Sequence, residues 1–124
     1  MALRVFRCKK CGQMVIMLKK SKCDMYFCGE AMEELIPGTT DAAVEKHVPV
    51  YEVKDNKVYV TIGDVIHPMV ENHYIEWIIL ETEKGIQKKD LTPKDEPKAI
   101  FPLLEGDKVL AVYEYCNLHG LWKR

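Results

Sequence analysis

The chain has 124 residues, 48% of them hydrophobic and 30% charged, which is enough to bury one ordinary core. Its 18 basic and 19 acidic side chains leave a net charge of −1, so no overall field recruits nucleic acid or an anionic membrane. The apolar runs are far shorter than the roughly 20 residues that a membrane span needs. The first residues also lack the pattern of a signal peptide. We therefore expect a cytoplasmic protein with neither a membrane segment nor a nucleic-acid partner.

Residues 1–36 are predicted to form a small cysteine-rich module. Cys8 and Cys11 enclose two residues and are followed by Gly12. Such a turn aims two thiolates at one point, and the glycine lets backbone amides approach the sulfur atoms. Cys23 and Cys28 form a second, more widely spaced pair. Two interpretations stay open from the residues alone: a metal bound by all four thiolates, or a metal-free module in which Cys23 or Cys28 is a core thiol.

Residues 37–124 are predicted to form the main domain, which begins at a turn over residues 37–41. Segments rich in β-branched and aromatic residues alternate with turn clusters from there to the end of the chain, and this spacing predicts an all-β sandwich. Residues 42–50 are read as a loop that runs into the first of these strands. The predicted strands are Met14–Leu18 in the module and Val48–Val53, Lys57–Ile62, Tyr74–Thr82, Ile86–Lys89, Ala99–Leu104 and Lys108–Tyr115 in the main domain.

All four histidines of the chain fall at predicted loops or strand ends. His47 lies on one loop, His67 and His73 share a second, and Cys116 and His119 lie together near the end of the chain. Taken singly, each histidine is as easily an ordinary surface residue as a ligand. The loops of a sandwich cluster at its two ends, however, so these three loops can converge. The sequence therefore predicts that four imidazoles and one thiolate meet on one metal.

The composition of this ligand set limits which metal it can hold. Structural zinc usually takes four ligands in a closed tetrahedron, so five are too many for that role. Imidazole suits iron and copper as well as zinc, and a thiolate pushes electron density onto a redox metal. Four nitrogens and one sulfur leave one octahedral position open. The pattern is typical of a reaction site.

Four motifs carry a specific resemblance to a known family. They are Glu45–Val50 (EKHVPV), His67–Met69 (HPM), His73–Trp77 (HYIEW) and Tyr115–Trp122 (YCNLHGLW). Together and in this order they resemble the superoxide reductase family, the desulfoferrodoxins and neelaredoxins. The resemblance runs from Cys8 to Trp122. It implies an immunoglobulin-like β-sandwich preceded by a small desulforedoxin-like module.

The resemblance also implies a cofactor and a reaction. A mononuclear non-haem iron, cycling between Fe2+ and Fe3+, is expected with His47, His67, His73 and His119 in one plane and Cys116 as axial ligand. Superoxide, one electron and two protons then give hydrogen peroxide without release of dioxygen. Members of the family are typically cytoplasmic and often dimeric, so the resemblance implies a homodimer that draws electrons from a small donor such as rubredoxin.

Two residues beside a ligand gain roles only through this resemblance. Lys46 supplies local positive charge that attracts superoxide; read alone, it is a solvated loop lysine. Glu45 moves onto the open position of the ferric iron; read alone, it is a surface carboxylate. Both roles imply that the loop carrying these residues is mobile.

The first module departs from the family pattern. In desulfoferrodoxins the turn pairs with two adjacent cysteines before a glycine to form an iron centre with four thiolates, but the first of that pair is Phe27 here. Cys23 can supply the fourth thiolate of a rearranged iron or zinc site with Cys8, Cys11 and Cys28. Alternatively, the module is degenerate and the protein uses one iron.

Two functions of other classes compete with this interpretation. Cys116 and His119 with one upstream histidine also fit a cupredoxin-like copper site for electron transfer, but no methionine follows His119 and two imidazoles are left over. A zinc-ribbon binding module on a sandwich scaffold would use Cys8 and Cys11. The near-neutral charge and the lack of a basic stripe argue against it.

Overall fold

The computed structural model describes residues 2–40 and 42–124, and the chain divides into two compact units, Met1–Ile36 and Pro37–Arg124. Residue 41, the last of the predicted turn, lies outside the described residues. No helix in the described ranges has the length and apolar character that a membrane crossing requires. The strands are β1 Val5–Arg7, β2 Met14–Ile16, β3 Tyr26–Phe27, β4 Glu30–Ala31, β5 Glu33–Leu35, β6 Pro49–Lys54, β7 Lys57–Ile62, β8 Ile75–Thr82, β9 Gly85–Asp90, β10 Lys98–Pro102, β11 Val109–Cys116 and β12 Gly120–Lys123, and the helix is α1 Val44–His47.

The second unit is an immunoglobulin-like β-sandwich. One sheet has the strand order β10-β7-β6 and the other β12-β11-β8-β9, with every neighbouring pair antiparallel. A three-stranded sheet facing a four-stranded sheet is the arrangement of constant-type immunoglobulin domains. The β6–β7 hairpin turns at Asp55 and Asn56, whose φ angles of 52° and 60° suit the right-handed twist of the strands.

The core lies between the two sheets. Val58, Val60 and Ile62 alternate along β7 and are at most 2% exposed, as the period-two pattern of that strand predicts. They cluster with Ile78 of β8 and Val112 of β11, both of which are fully buried. Burial of a whole side chain of this size contributes about 1.5–3 kcal/mol to stability. The sandwich is therefore held mainly by the facing aliphatic side chains of β7, β8 and β11.

Strand register brings the histidine and cysteine segments to matching strand ends. Pro49, the first residue of β6, pairs with Ile62, the last residue of β7. Cys116, the last residue of β11, pairs with both Ile75 of β8 and Gly120 of β12. His47 lies just before β6, His67 and His73 lie between β7 and β8, and His119 lies between β11 and β12. Antiparallel pairing thus sets the ends of these connections beside each other within each sheet.

The first unit is built on short strands. β1 lies between β2 and β5 in a three-stranded antiparallel sheet, while β3 and β4 form a separate hairpin. The Arg4 guanidinium donates two hydrogen bonds of 2.8 Å to the carboxylate of Glu34, which joins the residue before β1 to β5. This ion pair lowers the pKa of Glu34, because the hydrogen bonds favour the charged carboxylate.

The structure corrects the predicted elements in three places. Residues 42–50 contain the one-turn helix α1 instead of a continuous loop, and four residues are too few for a helical period to be visible in the sequence. Strand β12 follows the Cys116 and His119 segment, for which the sequence predicts metal ligands and no strand. The predicted strand Met14–Leu18 ends at Ile16, and β1, β3, β4 and β5 were not predicted because strands of two or three residues carry little pattern.

Candidate metal centre

Four imidazole rings form a square at one end of the sandwich. Neighbouring ring centroids are 4.7 Å apart for His47 and His67, 4.7 Å for His67 and His73, 5.0 Å for His73 and His119 and 4.8 Å for His119 and His47. His47 and His73, on opposite corners, are 6.4 Å apart. Each ring is inclined by 76–87° to its neighbours. Nε2 of His47 lies 3.2 Å from Nε2 of His67 and 3.1 Å from Nδ1 of His119, so ring nitrogens of these residues face one another inside the square.

The thiol of Cys116 closes one side of this square. Its Sγ atom and one ring nitrogen each of His47, His67 and His73 all lie within 4.8 Å of one another, and it is 3.9 Å from Nδ1 of His119. Cys116 is fully buried, and this burial raises the pKa of its thiol, while hydrogen bonds from the amides of Leu118 and His119 oppose that rise. The sulfur is therefore shielded from solvent and held by two backbone donors.

Backbone carbonyls fix the tautomers of the two buried histidines. Nδ1 of His47 lies 2.7 Å from the carbonyl oxygen of Ala43, and Nδ1 of His67 lies 2.7 Å from that of Pro68. A carbonyl only accepts hydrogen bonds, so both Nδ1 atoms carry the proton and both Nε2 atoms present a lone pair. These two Nε2 atoms are 3.2 Å apart and face each other.

This arrangement fits a bound metal cation. Two bare lone pairs at 3.2 Å cannot hydrogen-bond to each other, and a cation between them removes the repulsion. Nitrogen donors about 2.1 Å from one metal and at right angles to each other lie about 3 Å apart. Nε2 of His73 is likewise buried without a hydrogen-bond partner among the described residues. Burial lowers the pKa of His67 to about 4, so its ring is neutral and ready to coordinate at neutral pH.

Helix α1 and Gly63 position His47. The amide of Gly63 donates to the carbonyl oxygen of Val48 at 3.2 Å, and that of Val65 donates to the carbonyl oxygen of Glu45 at 3.0 Å. Gly63 has a φ of +85°, and a Cβ there would collide with the carbonyl oxygen of Val65 and lie 2.7 Å from that of Lys46. Only glycine therefore allows α1 to lie so close to the loop that carries His67.

Asn117 joins the segment that carries His73 to the one that carries Cys116. Its side chain accepts a hydrogen bond from the amide of Tyr74 at 2.9 Å and donates to the carbonyl oxygen of Asn72 at 3.1 Å. Its own amide donates to the carbonyl oxygen of Tyr74 at 3.2 Å. His73 is thus held between two residues that are both fixed to Asn117.

Trp122 of β12 supports two other histidines. Its indole N–H donates to the carbonyl oxygen of His119 at 3.0 Å, and its ring stacks on that of His47 with centroids 5.0 Å apart. Trp122 itself is only 3% exposed. His119 directs Nδ1, at 3.1 Å from Nε2 of His47, toward the centre of the square. His47 and His67 direct Nε2 toward the same centre. One ring nitrogen of His73 lies within 4.8 Å of the ligand atoms of His47, His67 and Cys116.

The corners of the square differ in exposure. His47 and His67 are buried, as is Cys116 against one face, whereas His73 and His119 are partly exposed. Glu45 and Lys46 are exposed residues of α1 directly before His47. The charge of Lys46 contributes, after burial and His119, to the lowered pKa of His73. The positive charge of Lys46 therefore lies close enough to His73 to disfavour the protonated imidazole.

The cysteines of the first unit are brought together only in part. The sulfur atoms of Cys8, Cys11 and Cys28 lie within 4.8 Å of one another. Cys23 is exposed and is not among them. Since the turn from Cys8 to Gly12 carries a recognisable motif, its two thiols could be predicted to meet, whereas the position of Cys23 on an exposed loop could not.

Several residues of the site were not singled out in the sequence. Gly63 acts through a close backbone approach, Asn117 through hydrogen bonds to distant backbone groups, and Trp122 through a hydrogen bond to His119 and stacking on His47. A single sequence does not reveal contacts of these kinds. Glu114 could have been noticed in the sequence, because its carboxylate interrupts the apolar strand β11 two residues before Cys116. It is fully buried, its oxygens have no hydrogen-bond partner among the residues that the structure describes, and burial raises its pKa well above the usual range.

Comparison with known proteins identifies the family. The profile of the desulfoferrodoxin family matches residues 39–124. A desulfoferrodoxin of Nitratidesulfovibrio vulgaris is 48% identical over 119 residues, which cover 96% of this chain and 93% of that protein. The superoxide reductase of Treponema pallidum superposes with a TM-score of 0.84 at 40% identity, over 100% of this chain and 99% of that one. A superoxide reductase of Giardia intestinalis, described as 1Fe-SOR, is 31% identical with a TM-score of 0.56, over 64% of this chain and 95% of that one. The chain therefore belongs to the desulfoferrodoxin family.

Proposed function

We propose that the second unit is a superoxide reductase. Its histidines and Cys116 would hold one mononuclear non-haem iron, and the reaction would convert superoxide to hydrogen peroxide. The observation that carries the proposal is the square of four imidazoles with a buried thiol against one face, on the fold of the desulfoferrodoxin family. The ligands are His47, His67, His73, His119 and Cys116.

The chemistry requires one electron and two protons for each superoxide. A ferrous ion held by the five ligands would supply the electron, and two protons taken up with that electron would give hydrogen peroxide. Because dioxygen is not a product, an external donor must return the iron to the ferrous state. We propose a small reduced protein of the rubredoxin class as that donor.

The protein directs the substrate to one side of the site. Cys116 is fully buried, so the face of the square that it covers is closed to solvent. His73 and His119 are partly exposed corners of the square, and superoxide would approach the face opposite the sulfur past these two rings. The Cys116 thiolate would donate electron density to a bound iron, which would favour transfer of an electron to the substrate. The backbone N–H groups of Leu118 and His119, which donate hydrogen bonds to this sulfur, would moderate that donation.

Lys46 and Glu45 would act from helix α1. The net charge of −1 gives no global attraction for an anion, so local attraction must come from a side chain such as Lys46, whose charge already reaches His47 and His73. We assign to Glu45 the role of covering the open side once the iron is ferric. Both roles require that the segment around α1 can move.

We also propose that the protein is a cytoplasmic homodimer.

A copper electron-transfer protein is the less favoured alternative. A copper centre would use Cys116 with two histidines, and it would leave two of the four converging imidazoles without a role. A zinc-ribbon scaffold would leave the whole square unused. The match to the desulfoferrodoxin family supports neither the copper protein nor the zinc-ribbon scaffold.

Metal analysis followed by reaction with superoxide tests the proposal. The full chain is purified anaerobically, its iron, copper and zinc are quantified, and the reduced protein is mixed with a known pulse of superoxide. We expect iron in the second unit and loss of one superoxide for each ferrous ion. Copper in place of iron, or ferrous protein that does not consume superoxide, would refute the assignment.

A further inference from the structure

The three clustered cysteines of the first unit lie on two well-formed turns. Cys8 and Cys11 follow β1, where the amide of Gly12 donates to the carbonyl oxygen of Cys8 at 2.9 Å and the amide of Cys8 donates to that of Gln13 at 2.9 Å. The amides of Cys11 and Lys10 also donate to the sulfur of Cys8. Cys28 lies in the β3–β4 hairpin with a φ of 51°. Both turns direct their sulfur atoms to one point, where the three sulfurs lie within 4.8 Å of one another.

The residues present do not fit an iron centre with four thiolates. The family resemblance implies a fourth thiolate beside Cys28, but Phe27 occupies that position and its side chain carries no donor atom. Its carbonyl oxygen lies 3.8 Å from the sulfur of Cys8. Cys23, the remaining cysteine of this unit, is exposed and outside the group of three.

We propose that Cys8, Cys11 and Cys28 bind one zinc ion as three thiolates, with water or another exogenous molecule as the fourth ligand. Zinc has no electronic preference for a geometry and commonly accepts three protein ligands and one exchangeable ligand, whereas soft thiolates favour it over harder ions. Binding releases three thiol protons, and the resulting centre carries a net charge of −1. The site has no redox change to offer, so it does not relay electrons.

The exposure of the sulfurs places the open position. Cys8 is 1% exposed and forms the base of the cluster, while Cys11 and Cys28 are exposed. The exchangeable ligand would therefore sit on the solvent side. The site binds a metal between two turns of a unit whose strands have only two or three residues, so we expect metal binding to stabilise this unit.

Zinc X-ray absorption on the iron-loaded full chain tests the number of sulfur ligands. Zinc is added to protein whose second unit already holds iron, so that the zinc signal comes from the first unit alone. We expect one zinc per chain, bound by three sulfurs and one lighter atom. Failure to take up zinc, or a shell of four sulfurs, would overturn the proposal.

Four variants make the result specific. Cys23→Ser removes the exposed thiol and should leave the zinc content and the sulfur count unchanged. Cys28→Ser should abolish zinc binding, and Cys11→Ser serves as a second variant if the first fails to fold by circular dichroism. Phe27→Cys should raise the sulfur count from three to four and allow iron to bind with the visible spectrum of a four-thiolate centre. Loss of one sulfur in Cys23→Ser would show that Cys23 is a ligand and that the three-thiolate assignment is wrong.

Discussion

At the scale of single residues, the centre combines two kinds of ligand environment. His47 and His67 are buried and fixed by backbone carbonyls, while His73 and His119 are partly exposed. Cys116 is buried against one face of the square. In the proposed reaction, electron density would come from this buried sulfur, and the substrate would approach the opposite face.

Lys46→Ala tests the local attraction of superoxide. Removal of this charge should slow the bimolecular reaction about tenfold at low salt and weaken its dependence on ionic strength. Rapid mixing or pulse radiolysis at several salt concentrations measures both effects.

Lys84→Ala is the matched control for this prediction, since it changes the net charge equally. Lys84 follows β8 at the end opposite to His73, about 25 Å away along an eight-residue strand. We expect the control to react at the wild-type rate. Equal rates for both variants would leave Lys46 as a solvated lysine of α1.

Cys116→Ser tests the axial sulfur. The oxidised protein should lose its thiolate-to-iron charge-transfer band, because serine offers no sulfur to donate. Cys23→Ser, which alters an exposed thiol, should keep the band. Visible spectra of both variants decide the point, and a band that survives in Cys116→Ser would mean that another sulfur binds the iron.

At the scale of elements, the site depends on how closely α1 can approach the loop after β7. Gly63 permits that approach because no Cβ stands between the carbonyl oxygens of Lys46 and Val65. Asn117 plays a similar part between the segments of His73 and Cys116 through its three hydrogen bonds. These contacts fix the ligands through backbone groups.

Gly63→Ala should destabilise the protein and loosen iron binding. A Cβ at this position adds a collision with backbone to the strain of a φ near +85°, and strain of this kind costs about 1–3 kcal/mol. Gly106→Ala is the matched control, since Gly106 has a φ of +81° and open space around it. Chemical denaturation and iron content are measured for both.

The difference between these two variants isolates the collision from the backbone strain that they share. We expect Gly63→Ala to be the less stable of the two and the only one to lose iron. Equal stability and equal iron content would show that α1 moves away at little cost, and that its contact with the loop does not position His47.

The metal ligands could be predicted from the sequence more readily than the residues that position them. His47, His67, His73 and His119 are the only histidines of the chain, and each lies near a strand end, so their convergence could be predicted from a sandwich. The predicted β7 matches the observed strand because its apolar residues alternate. Helix α1 could not be predicted, since one turn shows no period. The choice of ring nitrogen depends on carbonyl groups that only the folded chain brings near.

At the scale of the whole molecule, all residues of the proposed iron site belong to the unit Pro37–Arg124. The cysteine cluster belongs entirely to the other unit. Each site is therefore built from its own unit, and the two proposed metals have separate tasks. We propose residues 37–124 as the catalytic domain and residues 1–36 as a metal-binding module.

A truncated chain of residues 37–124 tests this division. It should fold, bind one iron and consume superoxide at a rate similar to that of the full chain, because it retains the sandwich core and every proposed ligand. Circular dichroism, iron content and reaction with superoxide are the measurements. Full-length Cys8→Ser provides the comparison in which only the small site is disrupted. A truncated chain that folds but takes up no iron would contradict independent function of the second unit.

The products of superoxide consumption test the central proposal most directly. Anaerobically reduced protein of known iron content is mixed with superoxide, and hydrogen peroxide, dioxygen and ferric iron are measured together. We expect one hydrogen peroxide and one ferric ion for each superoxide consumed, with no dioxygen. Half an equivalent each of hydrogen peroxide and dioxygen, without net oxidation of the iron, would identify a dismutation and contradict reduction at this site.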